Sequence, residues 1–367
     1  MTFSIITPSF KQLDWLRLCV ASVRDQVGAE SSDESRASSA SNPSPLDSRL
    51  STPSSIPRHP TIASRPLCVE HIIQDAGTPG IEDFAREIGA DFYRDGRPVF
   101  QTVASNEWRV AGGGSEMANG AAREGASPVS LHPLPATRPY RIAIYSERDA
   151  GMYDAVNRGI RRSGGEFVAY LNCDEQYLPG TLRRVVEFFD KNPAVEVLFM
   201  DAIVVDSDGK YLCDRRVMVP GRLHTLVSGN LSIFTAATFS RRSVFSVKGL
   251  FYDPKWKDVG DADWAIRLSE SALRMAAYNK AASAFVDTGE NMNIRPNAIR
   301  EKSQLFESAP SLAKHLKSII LLGYRLGRLI KGLYFLKPHS YQIYTRSSPE
   351  KRVMFHVEKP TFQWRGR

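Results

Sequence analysis

Residues 144–182, IYSERDAGMYDAVNRGIRRSGGEFVAYLNCDEQYLPGTL, decide the fold because they place a helix, a strand and a second helix in direct succession. The first helix is predicted by three apolar side chains at spacings of four: Met152, Val156 and Ile160. We expect Asp149 to cap its start, because aspartate accepts hydrogen bonds from the free helical amides. We expect Ser163-Gly164-Gly165 to end it, because glycine adopts the left-handed conformation without a steric penalty.

A short apolar strand, residues 167–171, follows and runs into the polar cluster Asn172-Cys173-Asp174-Glu175. Pro179-Gly180 then begins the second helix. Two carboxylates at the end of a buried strand are unfavourable unless a cation compensates them, and a divalent metal with oxygen ligands is suitable. A solvated turn explains the same residues, since such polar residues are common in turns. The residues alone leave both interpretations open.

The amino-terminal part of the chain predicts a parallel strand pair. Residues 3–6 read as a buried strand, and a second strand follows at 68–73. The helix between them is predicted by apolar residues at helical spacing: Leu13, Leu16, Val20, Val23 and Val27. Such a β-α-β unit makes its two strands parallel. Farther along, the β-branched run 195–205 predicts another strand, in which we favour a structural role for Asp201 over contact with an acceptor or a metal.

A second acidic cluster contains Asp261 and Asp263. Apolar residues at helical spacing follow it directly: Trp264, Leu268, Ala272 and Met275. The two aspartates should therefore lie at the amino terminus of a helix, where the helix field favours their ionised forms. A well-capped helix would need only one of them.

The segment from Ser146 to Gly159, followed by 171–175 and 179–182, resembles the family 2 glycosyltransferases of polysaccharide assembly. Those enzymes have a GT-A fold and carry the motif Ser-Glu-x-Asp-x-Gly-x-Tyr-Asp-Ala-x-Asn-x-Gly ahead of an Asp-x-Asp-type metal site. The similarity runs, with gaps, from Phe3 to about residue 293, and it is of the kind found in exopolysaccharide or colanic-acid-type biosynthesis. It implies an α/β, GT-A-like fold with a mixed, largely parallel sheet flanked by helices.

The resemblance also implies an activity of the EC 2.4 class. A sugar would pass from a nucleotide-diphosphate donor to a hydroxyl of a glycan or lipid-linked acceptor, with inversion at the anomeric carbon. Asp174, together with Glu175, would bind Mg²⁺ or Mn²⁺, and Asp261 of the Gly260-Asp261 pair would be the general base. The donor contacts that it implies are Thr7, Pro8, Ser9, Phe10, Asp75, Asp149, Asp154, Asn157 and Asn172.

Two positions depart from the family pattern. Asn172 replaces the first aspartate of the metal motif with a neutral oxygen, for which Glu175 can compensate. The family run Asp-Gly-Gly-Ser-Thr-Asp is here Asp75-Ala76-Gly77-Thr78-Pro79-Gly80, which lacks the last aspartate. These departures keep open an alternative function, in which a non-catalytic GT-A-like protein binds a nucleotide sugar or acts as a scaffold.

The domain organisation is predicted from composition. Residues 1–295 would form the glycosyltransferase domain, interrupted by low-complexity insertions at about 29–65 and 96–139. Within the second insertion, Phe100 and Trp108 are too isolated to form a core. Residues 296–367 would form a basic tail with a long amphipathic helix.

That helix would carry one apolar face, formed by Leu312, Leu316, Ile319, Gly323, Leu326, Ile330 and Leu333. Its cations would lie on another face: Lys314, Lys317, Arg325 and Arg328. Residues 312–336 could rest on an anionic membrane surface or pack the apolar face on the catalytic domain. Residues 341–367 contain strand-like pieces that the sequence does not assign.

Composition excludes several other classes. The four cysteines, Cys19, Cys68, Cys173 and Cys213, have neither paired ligand spacing nor a disulfide pattern, which fits a reducing cytosol. Neither an amino-terminal signal nor an apolar run of about eighteen residues is present, so we expect a cytoplasmic protein, free or bound peripherally to the inner face of the membrane. There is no zinc spacing, serine-hydrolase elbow or P-loop. Despite a formal charge of +8, no aromatic platform indicates nucleic-acid binding.

Overall fold

The computed structural model describes residues 1–28, 66–102, 139–229, 231–289 and 295–364. The predicted insertion at about 29–65 therefore lies outside the described residues. So does most of the one at about 96–139, including Trp108.

The described strands are β1 (Thr2–Ser9), β2 (Cys68–Asp75), β3 (Asp91–Arg94), β4 (Arg97–Phe100), β5 (Tyr140–Ser146), β6 (Phe167–Tyr170), β7 (Gln176–Tyr177), β8 (Val197–Asp206), β9 (Tyr211–Arg215), β10 (Thr238–Arg241), β11 (Met275–Asp287), β12 (His339–Thr345) and β13 (Ser348–Val357). The described α-helices are α1 (Leu13–Arg24), α2 (Ile81–Ile88), α3 (Met152–Arg162), α4 (Thr181–Lys191), α5 (Arg222–Ser228), α6 (Ser243–Ser246), α7 (Gly260–Glu270), α8 (Pro296–Glu307), α9 (Ser311–His315) and α10 (Lys317–Ile330).

One mixed sheet contains eleven of these strands in the order β4-β3-β5-β2-β1-β6-β10-β8-β11-β7, with β9 paired to β8. The five neighbours β3-β5-β2-β1-β6 are parallel to one another, and β8 and β11 are parallel as well. Antiparallel β10 joins these two parallel parts. This topology confirms the predicted α/β class, a mixed and largely parallel sheet flanked by helices. It also confirms the parallel pairing of β1 with β2.

Helices cover both faces of the sheet because successive side chains of a strand point to opposite sides. Ile6 of β1 belongs to a cluster that includes Val156 of α3 and Trp264 of α7. The preceding Ile5 belongs to a different cluster, which includes Val185 of α4. Full burial of each such side chain contributes about 1.5–3 kcal/mol, so the two clusters fix the helices that flank the strand ends.

The carboxyl-terminal part is neither one long helix nor unassigned coil. The helix is interrupted at Leu316, between α9 and α10, and Leu333, which the sequence assigns to the apolar face of one long helix, is buried beyond the end of α10. Strands β12 and β13 form a hairpin whose Tyr341 and Ile343 pack on Val205 of β8. Among the described helices, none combines the length and apolar character that a bilayer crossing needs. The predicted domain boundary at residue 295 stays a prediction.

The ends of α3 differ from the prediction. The N-cap is Gly151, and Asp149 instead accepts a hydrogen bond from the Gly151 amide at 2.9 Å. At the other end, the C-cap is Ser163 in an extended conformation, and neither Gly164 nor Gly165 adopts the left-handed conformation expected of a glycine cap. Gly165 serves close packing, because a Cβ there would lie 2.6 Å from the Ser4 backbone nitrogen.

Two further expectations are wrong. Phe100 is not isolated, since it lies on β4 and stacks on Phe92 with ring centroids 5.5 Å apart. Met275 is not on the helix that begins near Asp261, because α7 ends at Glu270 and Met275 starts β11. The predicted helix start itself is confirmed, with Asp261 and Asp263 in the first turn of α7.

Candidate active site

The carboxyl ends of the central parallel strands meet at one edge of the sheet. Ser9 of β1 is in register with Asp75 of β2, which is in register with Ser146 of β5. Tyr170, the last residue of β6, is in register with Ile6 of β1. Ligands of open α/β sheets bind at this edge, and the predicted donor loops follow these strands.

The first of these loops contains Thr7, Pro8, Ser9 and Phe10. The first three are buried, and the Thr7 hydroxyl lies 2.9 Å from Nε2 of His71. Burial lowers the pKa of His71 to about 3, so its ring is neutral. The buried Ser9 hydroxyl has no hydrogen-bond partner among the described residues, whereas the Phe10 ring is 53% exposed. An unpartnered hydroxyl and an exposed ring are suitable contacts for a nucleotide.

Asp75 is fully buried and bonded within its own turn. Its Oδ2 accepts hydrogen bonds from the amides of Gly77 and Thr78 at 2.8 Å, and from the Ser146 hydroxyl at 3.3 Å. Its Oδ1 accepts one from the Thr78 hydroxyl at 2.6 Å. Asp75 thus shapes the loop, and its direct contact with a donor stays a prediction.

Asp149 and Asp154 lie on either side of the start of α3. Burial, as the largest cause, raises the pKa of Asp149. Asp154 accepts a hydrogen bond from the Ala150 amide and pairs with Arg158 at 2.9 Å, one turn along the helix. These contacts hold the loop before α3, and the donor contacts of both aspartates stay predictions.

Asn157 faces the protein interior. Its Nδ2 donates to the Tyr252 carbonyl at 2.7 Å, and its Oδ1 accepts from the Tyr252 amide at 3.0 Å. It is only 2% exposed. The structure therefore gives Asn157 a positioning contact on Tyr252, and its contact with the donor stays a prediction.

The acidic turn after β6 consists of Asn172, Cys173, Asp174 and Glu175. The buried Glu175 carboxylate accepts a hydrogen bond from the Asn172 amide at 2.8 Å, which closes the turn. Burial raises the pKa of Asp174. The pKa of Glu175 is also raised, first by burial and then by the charge of Asp174, with a smaller contribution from Asp261.

Asp261 lies in the first turn of α7 and is partly exposed. Its surroundings raise its pKa to about 6, mainly through burial, against opposing hydrogen bonds that include one from Tyr153. Gly260 is required beside it because a Cβ there would lie 2.6 Å from the Tyr153 ring. The Asp261 amide donates to the Tyr153 hydroxyl at 3.2 Å.

Three tyrosines connect Asp261 to the acidic turn. The rings of Tyr153 and Tyr252 stack with centroids 5.6 Å apart, and Tyr170 meets Tyr252 edge-on at 5.9 Å. The Tyr170 hydroxyl donates to Oδ1 of Asn172 at 2.8 Å. The structure therefore brings the two predicted acidic positions together around one aromatic cluster. Sequence reasoning gave none of these tyrosines a role, although Tyr153 is the tyrosine of the family motif; the spacing of the three gives no common signal.

Glu301 of α8 is a second residue that sequence reasoning missed. Its carboxylate accepts hydrogen bonds from the amides of Lys257, Asp258 and Val259 at 2.9–3.1 Å. Burial opposes its ionisation, but these amides outweigh burial and lower the pKa of Glu301. Glu301 thereby fixes the loop that leads into Asp261, from a helix that the sequence assigns to the tail.

The oxygen atoms of the acidic turn are suitable ligands for a divalent cation. Carboxylate and amide oxygens are the ligands that Mg²⁺ and Mn²⁺ prefer. No lysine or arginine among the described residues forms an ion pair with Asp174, Glu175 or Asp261. Groups of three or more His, Cys, Asp or Glu arranged as a complete metal site are absent from the described part of the chain.

Comparison with known proteins finds glycosyltransferase similarity over part of this site. Residues 134–250 match the family model of Glycosyl transferase family 2, a segment that includes the acidic turn but ends before Asp261. A PGL/p-HBAD biosynthesis glycosyltransferase of Mycobacterium bovis is 24% identical over 195 residues, which cover 52% of this chain and 70% of the relative. An equally similar sequence of the same description occurs in Mycobacterium tuberculosis.

Among solved structures, S. aureus TarS 1–349 in complex with UDP-GlcNAc superposes with a TM-score of 0.47 and 12% identity, covering 88% of this chain and 70% of TarS 1–349. The complex of the same fragment with UDP gives a TM-score of 0.45 and 14% identity, covering 89% and 71%. At such scores the superpositions decide nothing about the site, so the fold assignment rests on the sheet itself.

Proposed function

We propose that this protein transfers a sugar from a nucleotide-diphosphate donor to an acceptor hydroxyl, with inversion, in the assembly of a cell-surface polysaccharide or related glycan. The observation that carries the proposal is the convergence of two acidic positions on one aromatic cluster. Asp174 and Glu175 follow β6, the last strand of the parallel part of the sheet, and Asp261 lies in the first turn of α7. The match of residues 134–250 and the glycosyltransferase relatives support this reaction class.

Asp261 is the general base of the proposed reaction. It accepts the proton of the acceptor hydroxyl, whose oxygen forms the new bond to the anomeric carbon while the bond to the diphosphate breaks. A pKa of about 6 suits this role, because the carboxylate is ionised at neutral pH and yet basic enough to take a proton. A single displacement on the face opposite the leaving diphosphate inverts the anomeric configuration.

The acidic turn would hold a divalent cation at the diphosphate end of the donor. Asp174 and Glu175 would be the carboxylate ligands and Asn172 a neutral one, with Mg²⁺ or Mn²⁺ supplying charge stabilisation for the departing diphosphate. Mg²⁺ is commonly bound by one or two carboxylates together with substrate phosphates, so this partial set suits it. On the same edge of the sheet, the Ser9 hydroxyl and the exposed Phe10 ring would contact the nucleoside.

The test is hydrolysis and transfer with a panel of UDP-, GDP- and dTDP-sugars in the presence of Mn²⁺ or Mg²⁺. We expect the wild type to turn over at least one donor and Asp174→Ala to lose about a thousand-fold or more of that activity. Asp83→Ala, which changes an exposed aspartate on α2, is the matched control and should keep wild-type activity.

Two outcomes would contradict the proposal. Equal activity of Asp174→Ala and the wild type would remove the acidic turn from the site. Binding of a nucleotide sugar by the wild type, seen as a thermal shift, without turnover of any donor would instead support the non-catalytic alternative.

A further inference from the structure

An apolar stripe on α10 is exposed along the helix. We name it the α10 stripe, and its members are between 49% and 77% exposed: Ile319, Leu322, Leu326, Leu329 and Ile330. Because these positions recur every three or four residues, they lie on one side of the helix, over a length of about 17 Å. Phe335, just beyond the helix, is also exposed at 69%. Contiguous exposed apolar surface of this kind marks a contact with another molecule or a membrane.

The opposite side of α10 is packed, so the rotation of the helix is fixed. Ile320 and Leu321 pack against the main core cluster. Tyr324 stacks on His224 with ring centroids 3.6 Å apart, and Arg328 donates to the Arg216 carbonyl at 2.8 Å. The α10 stripe is therefore exposed on a helix whose opposite side is half-buried against the rest of the protein.

Charge around the α10 stripe restricts its partner. Residues 311–337 contain six lysines and arginines and no aspartate or glutamate. The exposed cations among them include Lys317, Arg325, Lys331 and Lys337. A symmetric contact between two copies of this chain would set these cations against each other. An anionic surface would instead be attracted to them.

We propose that α10 docks the protein on an anionic lipid surface. The α10 stripe enters the boundary between headgroups and acyl chains, and the surrounding cations contact the headgroups. With fourteen residues, the helix is too short to cross a bilayer and suits an orientation parallel to its surface. This docking goes beyond the proposed glycosyl transfer and requires neither donor nor acceptor.

The docked helix lies two helices from the proposed base. Helix α10 packs on α5, and α5 packs on α7, which begins with Gly260 and Asp261. If both proposals hold, the docked helix and the proposed base therefore belong to one packed group of three helices.

The experiment measures sedimentation of the full chain with lipid vesicles, without donor or acceptor. Phosphatidylcholine vesicles containing about one third phosphatidylglycerol should bind the wild type, and vesicles of phosphatidylcholine alone should bind it at least about ten-fold more weakly. Leu322→Glu/Leu326→Glu should lose at least about ten-fold in binding to the anionic vesicles. Val247→Glu/Met354→Glu changes two exposed apolar residues elsewhere, with the same charge change, and should lose less than about two-fold.

Several results would overturn the docking proposal. Equal loss in the two double variants would show that only net charge matters, and undiminished binding of the α10 variant would show that the stripe does not contact lipid. If the wild type forms a dimer that the α10 variant converts to a monomer, with unchanged vesicle binding, the occupant of the stripe is a second copy. Retained melting temperature would show that each variant is folded. Donor hydrolysis by the same preparations would test the proposed function separately.

Discussion

The carboxylates at the ends of β2 and β6 lie at the same edge of the sheet but are stabilised in different ways. Asp75, the last residue of β2, accepts four hydrogen bonds from its own loop and from Ser146. After β6, Asp174 and Glu175 have no ion pair among the described residues, and their pKa values are raised by burial. Four hydrogen bonds satisfy the Asp75 carboxylate, whereas burial opposes the ionisation of Asp174 and Glu175.

We propose that this difference, rather than position, distinguishes a structural carboxylate from a functional one. Asp75 has its hydrogen-bond partners within its own loop and on Ser146, so its contacts are complete without a ligand. A carboxylate that burial holds against ionisation stabilises a cation or accepts a proton readily. Asp174, Glu175 and Asp261 belong to this second class, and Glu301, with its lowered pKa, belongs to the first.

The largest expected effect is that of Asp261→Asn on turnover. Because the amide cannot accept the proton, kcat should fall about a thousand-fold, while the dissociation constant for the donor changes less than about three-fold. Steady-state kinetics and calorimetric donor binding measure the two effects. A loss of donor affinity with little change in kcat would make Asp261 a binding residue.

The same variant should be more stable than the wild type. Asp261 has a raised pKa in the folded protein, so its ionisation lowers the free energy of unfolding as pH rises from about 4 to about 6. Above that range the asparagine variant lacks this cost, and at pH 8 its melting temperature should be about 2 °C higher or more. In the wild type, the activity of the base should fall below about pH 6. A lower melting temperature for Asp261→Asn would show that the Asp261 carboxylate stabilises the fold, as that of Asp75 does.

Signals between near neighbours in the chain predicted most of the framework of the site. The apolar run ending at Leu171 predicted β6 and the acidic turn, and Gly260-Asp261 predicted the start of α7. Asp95-Gly96, the signature of a two-residue hairpin turn, also lies in the sequence and would have located β4. The composition of residues 96–139, which predicts an insertion, does not reveal this strand.

Contacts between distant segments were not predictable. Glu301 reaches Val259 across 42 positions, and Asn157 bonds to Tyr252 across 95. Nothing in the local pattern around Glu301 distinguishes it from a solvated helical residue. The interruption of the helix at Leu316 likewise has no glycine or proline to signal it. It occurs in a part of the chain that packs on the domain, where Leu333 is buried.

A smaller effect, on the free energy of unfolding, should distinguish Asp75 from Asp174. Asp75→Asn removes a charged acceptor of several hydrogen bonds and should lower the free energy of unfolding by about 2 kcal/mol. Asp174→Asn is the matched substitution, and it should leave that free energy unchanged or raise it, because a desolvated charge is removed. Urea unfolding at pH 8 without divalent cations measures both. Equal destabilisation by the two substitutions would end the distinction between the carboxylates.

The smallest effect is expected from the neutral member of the acidic turn. Asn172→Ala removes an uncharged oxygen and should weaken the apparent affinity for Mn²⁺ about five-fold, which corresponds to about 1 kcal/mol. Tyr170→Phe removes only the hydroxyl that donates to Oδ1 of Asn172 and should weaken it about two-fold. Metal titrations of donor hydrolysis give both values. If Asn172→Ala were as damaging as Asp174→Ala, charge would not be what distinguishes this turn, and the contrast with Asp75 would have to rest on geometry alone.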